Sequence, residues 1–348
     1  MTETDCRIEP ISSTFTATTA TTTAETATAT MTPAKPSPAR RIVCWATIAA
    51  VLPYLCLKIC WLSGSTVGLT NPRLAESSTL SALNTLTLAM DSVAALVALA
   101  LTYRWGRRLP AWMVIAPMWV ASGFLGTAIL VVPLQLGVDA ATGSSFSAPN
   151  GFLASWVYLV VYGGFMLQGL GLLIAFALYS KARWSALFAS PAARSGIAEP
   201  LRVGLAILAA LTAVPELYWA FGGTSGLPAR EAAAGDVNGV VLRAALAAAA
   251  LVAAAGAMSL LRRSGVGASR SWKPLVAVWF GSAALFAWGA WTTLVDATAS
   301  PLNGNAHSGL TAEQLTGSAQ AFAGVALALA ALVALRRRAG GGAPTRRV

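Results

Sequence analysis

Eight apolar stretches, each nearly free of charge, constrain this chain more than any other feature, because each is long enough to cross a hydrocarbon core about 30 Å thick at 1.5 Å per residue. They fall near residues 42–62, 80–103, 111–135, 154–180, 201–221, 239–261, 274–295 and 315–335. Lipid offers no hydrogen-bond partner to a backbone N–H or C=O, so a spanning segment must satisfy its own backbone, as a helix does. The sequence therefore predicts an all-α, polytopic membrane protein with eight transmembrane helices. Pro53, Pro117 and Pro215 sit inside spans, which is tolerable where neighbouring helices take up the freed carbonyls.

The charges assign an orientation. Only 11% of the residues are charged, against about 25% in soluble domains. Arg7, Lys35, Arg40 and Arg41 precede the first span, and Arg104, Arg107 and Arg108 fill the second connection. Lys181, Arg183, Arg194 and Arg202 fill the fourth, Arg262, Arg263, Arg270 and Lys273 the sixth, and Arg336, Arg337, Arg338, Arg346 and Arg347 follow the last span. The odd-numbered connections hold Arg73 and Arg230 alone. By the positive-inside rule every basic connection is cytoplasmic, and so are both termini. The net charge of +11 then writes topology. No basic face or binding motif points to nucleic acid. The partners expected are the lipid bilayer, with anionic lipids at the basic cytoplasmic loops.

The domain plan follows. Residues 1–41 form a Thr-, Ala- and Pro-rich cytoplasmic tail, too polar to offset its ordering entropy and hence expected to be disordered. Residues 42–180 form a first four-helix membrane half, 181–200 a cytoplasmic linker, 201–335 a second four-helix half and 336–348 a basic cytoplasmic tail. Acidic Glu3, Asp5 and Glu9 at the start, with no apolar core before Ile42, argue against a signal peptide.

The two halves share a pattern. The first span leaves as Trp61, Leu62, Ser63, Gly64, Ser65, Thr66, Val67, Gly68, Leu69, and the fifth as Trp219, Ala220, Phe221, Gly222, Gly223, Thr224, Ser225, Gly226, Leu227. Trp, Gly, Thr, Gly and Leu recur at one spacing. Pro72 and Arg73 follow the first copy as Pro228 and Arg230 follow the second, and Pro110 and Pro274 open the third and seventh spans. An internal repeat of four spans keeps its orientation, giving a parallel 4+4 arrangement about an axis along the membrane normal. Trp at an interface and small residues at a helix exit offer a plainer account. Each Gly-xxx-Gly lies past its span, which favours a turn or shallow re-entrant element over helix dimerisation.

An ionisable side chain at the centre of a spanning helix costs about 2.5–3.5 kcal/mol on insertion scales, so each is a functional candidate. Asp91, Gln168 and Glu216 all come out about 20 Å above the nearest basic connection, and Lys58 somewhat higher. Asp91 ends a stripe of Ser81, Asn84 and Thr87 at helical spacing, a polar face that must meet protein or water. Lys58 and Glu216 hold the same position in the two copies, each three residues before its Trp. An axis between the halves would bring them together, with Asp91 as the other candidate partner of Lys58. A static buried ion pair competes with a solute or proton site opening outward, its mouth carrying Arg73, Arg230 and Arg243.

Enzyme readings lack residues. The one histidine, His307, stands between Asn303-Gly304-Asn305 and the last span, leaving no intramembrane base or haem ligand. Cys56 and Cys60, at i, i+4 spacing, read with Cys44 as small packing groups, not a disulfide or metal site. No metal and no cofactor is expected.

Leu52-Pro-Tyr-Leu-Cys-Leu-Lys58-Ile-Cys-Trp61-Leu-Ser-Gly-Ser-Thr-Val-Gly68, followed by Arg104-Trp-Gly-Arg-Arg-Leu-Pro-Ala-Trp112, resembles a family of uncharacterised multi-pass membrane proteins of high-GC actinobacteria. The resemblance covers mainly the first three spans. It implies a bacterial cell membrane and no established activity. Some relatives bear an aromatic-ring-opening dioxygenase label, but a non-haem iron site wants two histidines and a carboxylate. The functional expectation is a non-enzymatic membrane protein, with small-solute or proton-linked transport as its sharper form. A sensor or scaffold acting through the cytoplasmic tail is the alternative, and a membrane enzyme the third reading. The oligomeric state is left open.

Overall fold

The structure is a computed structural model that describes residues 37–71, 77–142, 153–185, 199–227, 237–260, 272–297 and 311–340. Eight long helices account for nearly all of them: α1 (Pro38–Leu62), α2 (Ser78–Thr102), α3 (Ala111–Thr142), α4 (Ser155–Arg183), α5 (Glu199–Ala220), α6 (Val237–Leu260), α7 (Lys273–Ala297) and α8 (Ala312–Gly340). Each is long and apolar enough to cross a membrane. The tail before Ser37, most of the linker between α4 and α5, and the residues after Gly340 lie outside the described residues, as do Pro72, Arg73, Pro228, Arg230 and His307.

Two helices exceed their expected ends. α3 runs on through Pro133 to Thr142, because a proline removes one donor without forbidding helix where the neighbours supply packing. α8 carries its helix into the arginines at Arg336–Arg338, where cations favour a helix C-terminus.

The chain runs up and down, so Arg40, Arg104, Arg107, Arg108, Arg183, Arg202 and Lys273 gather at one end, here the basic end. Contacts pin the helices there. The Arg40 guanidinium donates to the Leu101 carbonyl (3.0 Å) and that of Arg202 to the Met258 carbonyl (3.1 Å). After α2 a single 3-10 turn, Arg104–Arg107, buries Gly106, where a Cβ would meet the Ala100 backbone. The Gly106 carbonyl accepts from the Tyr179 hydroxyl (3.0 Å), and Arg183 donates to the Leu109 carbonyl (2.9 Å). The Arg-Trp-Gly-Arg-Arg stretch is thus the seat of the α4 C-terminus.

At the opposite end α1 and α5 finish in the same turn. Gly64 (φ 89°) and Gly222 (φ 92°) are left-handed, with open space where a Cβ would stand. Gly64 N–H donates to the Trp61 carbonyl and Ser65 N–H to Cys60; Gly222 donates to Trp219 and Gly223 to Tyr218. This is the Schellman helix stop, which requires φ above zero just past the last turn. The indole of Trp61 donates to the Val67 carbonyl (2.7 Å), and that of Trp219 to Ser225 (3.0 Å). Gly68 and Gly226, also left-handed, lie against Val157 on α4 and Ala312 on α8. The Gly-xxx-Gly pairs are turns, not dimerisation faces.

α1 packs on α4 and α2, and α3 on α4, around Cys44, Leu101, Met118, Leu172 and Tyr179. α5 packs on α6, α6 on α7 and α7 on α8, around Ala209, Ala250, Ala253, Leu285, Ala323 and Leu327. Alanine allows close backbone approach, the means by which helices associate without a hydrophobic driving force in lipid. α6 and α7 share a more extensive contact than α2 and α3.

The halves meet at α3 and α7. Trp119 on α3 donates from Nε1 to Ser282 Oγ (3.0 Å), and Trp279 on α7 donates to Ser122 Oγ (3.1 Å). The contact is reciprocal: the same Trp-x-x-Ser on each helix serves the other. Gly123 comes next, with the Ala283 carbonyl only 2.1 Å from where its Cβ would be. Trp119 stacks on Phe286 and Trp279 on Phe176.

The outward faces are apolar. Ile42, Leu52, Ile59, Leu96, Leu130, Leu159, Leu211 and Phe322 are exposed along the helices, and Trp45, Trp105, Trp112 and Trp272 toward the basic end. In water so large an apolar surface would drive aggregation; in a bilayer it is the lipid contact, with tryptophan at the interface. The protein is a multi-pass membrane protein. Cys56 and Cys60 belong to this exposed face, so of the α1 thiols only Cys44 packs in the interior.

Candidate functional site

The candidate polar residues divide into two clusters, one in each half. Lys58 on α1 is wholly buried, and its Nζ lies 2.6 Å from Asp91 Oδ2 on α2. The Gln168 side chain on α4, also buried, stands beside the same carboxylate. The ammonium stands over the Tyr54 ring, 3.9 Å from its centroid, where the electron-rich face attracts a cation. Tyr54 packs edge-on against Phe165, and Phe165 against Tyr162. One cation thus meets one carboxylate, with an amide and a ring completing its shell.

The second cluster has Glu216 on α5 and Arg243 on α6. Arg243 Nη1 is 3.5 Å from Glu216 Oε2, and Nη2 donates to Glu313 Oε1 on α8 at 2.8 Å. Gln320 on α8 donates from Nε2 to Glu216 Oε1 (2.9 Å). The guanidinium faces the Trp219 ring, 4.8 Å from its centroid. All four polar side chains are largely buried.

This corrects one expectation. Lys58 does not pair with Glu216: each closes its ion pair on the second helix of its own half. Arg243, the third mouth candidate, lies in α6 six residues from its start and bridges two carboxylates. The other mouth candidates, Arg73 and Arg230, lie outside the described residues. Glu313, Gln320 and Tyr54 were missed. A signal for Gln320 existed, since it interrupts an apolar run as Gln168 does, and the spacing from Gln168 to Gln320 equals that from Asp91 to Arg243.

Among the described hydrogen bonds, none joins Asn84 or Thr87 to the ion pair. They lie with Ser81 on the turns of α2 leading from Asp91 toward the end opposite the basic one, each half-buried. The Thr87 hydroxyl donates back to the Leu83 carbonyl (2.9 Å), the usual way a hydroxyl is satisfied inside a helix.

Comparison with family models, with curated proteins and with solved structures finds no match for this chain. The site must be read from its own chemistry.

Proposed function

We propose that the chain is a bacterial cell-membrane transporter of a small solute or of protons, with the basic end and both termini in the cytoplasm. The observation that carries this reading is a fully buried Lys58–Asp91 pair at the inner end of the half-buried Ser81, Asn84 and Thr87 stripe. An ion pair inside a bundle is costly to assemble and marks pathways for ions and protons. A polar stripe that ends on it supplies a route from the external face.

The same proposal includes a parallel duplication of a four-helix unit. The matching turns after α1 and α5 support it, as do the reciprocal Trp–Ser bonds between α3 and α7, which are what a two-fold axis along the membrane normal produces. Each half also assembles a cation, a carboxylate and a glutamine from its first, second and fourth helices, with the charges exchanged between the first two.

The test is reconstitution into liposomes holding a pH-sensitive dye, with proton entry followed after imposing a membrane potential. Asp91→Asn and Lys58→Met should each reduce entry to the level of protein-free liposomes while the protein still elutes as a folded species. Entry unaffected by both substitutions, or absent in the wild type across imposed proton and solute gradients, overturns the reading.

A further inference from the structure

We infer that Arg40 and Arg107, with Arg41, Arg104 and Arg108 around them, bind the phosphate of an anionic phospholipid at the basic end of the first half. Arg40 comes from the first turn of α1 and Arg107 from the 3-10 turn after α2, and the two guanidiniums stand close enough to repel each other. Two cations held together favour an anion between them. The helix connections at this end do not supply one: in 103–110, 181–200 and 261–273 the sole acidic residue is Glu199, which pairs with Arg202 in the second half. Among the described residues no carboxylate pairs with any of the five arginines. Their side chains make one described hydrogen bond, from Arg40 to the Leu101 carbonyl at 3.0 Å. A guanidinium carries five N–H donors, so most of those on Arg40 and all of those on Arg107 remain for a ligand.

The backbone under the two arginines is fixed. Gly106 is buried against the Ala100 backbone, while the Tyr179 hydroxyl and Arg183 hold the carbonyls of Gly106 and Leu109. The cations here are all arginine, whose planar fork matches a phosphate in a way that a lysine ammonium does not. The depth is that of a headgroup. Trp45 lies one turn beyond Arg41 on α1, Trp105 follows Arg104 and Trp112 opens α3, all three exposed, and indoles favour the membrane interface. From Arg41 the exposed Ile42, Trp45, Leu52 and Ile59 continue along one face of α1 at helical spacing, a track for an acyl chain below its headgroup. Basic sites between helix ends take anionic headgroups in this way. The inference narrows a general attraction of basic loops for anionic lipid to one place, and it needs neither transport nor an orientation.

The full chain, purified in a neutral detergent, is offered phosphatidylglycerol or phosphatidylcholine, and the retained lipids are counted by native mass spectrometry. Phosphatidylglycerol should stay bound at concentrations at which phosphatidylcholine does not. An arginine beside an anionic headgroup contributes about fivefold, so Arg40→Gln combined with Arg107→Gln should weaken retention about thirtyfold. Arg336→Gln combined with Arg337→Gln removes the same charge from the same end and should leave retention unchanged. Equal weakening by both pairs would mean a diffuse attraction to charge and overturns the site. Retention unaffected by the first pair overturns it too, as does its absence in the wild type, where the tail carboxylates Glu3, Asp5, Glu9 and Glu25 would be left as the anions available to these arginines. Displacement of the lipid by millimolar inorganic phosphate would make free phosphate, not a lipid, the occupant. Should Arg40→Gln fold poorly, Arg107→Gln decides alone, because its exposed side chain makes no described hydrogen bond: about fivefold weaker retention supports the site, and none refutes it.

Discussion

Removing one partner of the Lys58–Asp91 pair should cost more than removing both. At 2.6 Å two unit charges attract by about 6 kcal/mol at an effective dielectric of about 20. Desolvation takes back most of that, so a neutral apolar pair of similar size is about as stable, whereas a lone charge left behind costs about 3–5 kcal/mol. That is about two to four powers of ten in the unfolding equilibrium. The two single losses should differ. Lys58→Met leaves Asp91 beside the Gln168 amide and with 11% side-chain exposure. Asp91→Asn leaves a wholly buried ammonium with the Tyr54 face, a contact worth about 2 kcal/mol when desolvated, and a neutral amide. The larger loss is therefore expected for Asp91→Asn, with the double variant losing less than either single one and so recovering more than about 3 kcal/mol relative to additivity. Denaturant titration in mixed micelles, following tryptophan emission, measures all three. Additive losses would refute the pairing. Lys58→Met combined with Glu216→Gln serves as the control and should be additive, since the two side chains close on different partners.

Other outcomes follow from the same geometry. Gly64→Ala and Gly222→Ala should each lose about 1–2 kcal/mol from the left-handed penalty alone, because no neighbour obstructs the added methyl; a loss near zero in thermal melts would contradict the turn. Gly123→Val should part α3 from α7 and lower the yield of folded protein in size-exclusion chromatography, as its Cβ has no room against the Ala283 carbonyl. Trp279→Phe and Ser122→Ala remove the same hydrogen bond, so their melting-temperature losses should not add, while Trp279→Phe and Ser282→Ala, which break different ones, should. For orientation, cysteines placed at Ser144 and Ala306 in a background without native cysteines should react with an impermeant thiol reagent in intact cells, and those at Ser264 and Gly341 should not; the reverse pattern would invert the topology.

The spans were legible because lipid makes one demand on every residue within them: run length and uninterrupted hydropathy report it directly. The helix ends were less so. The third span is expected to end near residue 135, yet α3 runs on to Thr142, since the decision rests on packing that the local sequence does not encode. The polar residues were legible as a set and not as a wiring. Lys58 and Glu216 hold like positions in the two halves, but like positions meet only if their helices lie on the seam between the halves. α3 and α7 do, which is why Trp119 finds Ser282 and Trp279 finds Ser122. α1 and α5 instead pack within their own halves, so Lys58 and Glu216 each need a partner on the next helix, and that partner must carry the opposite charge. Asp91 and Arg243 satisfy this requirement. Their shared spacing to Gln168 and Gln320 was the pattern to follow, because a glutamine in an apolar span also needs a hydrogen-bond partner, if at a smaller cost than a stranded charge. Here a charge on the second helix and a glutamine on the fourth recur at one spacing in both halves, and the ion pair lies within each half and not between them.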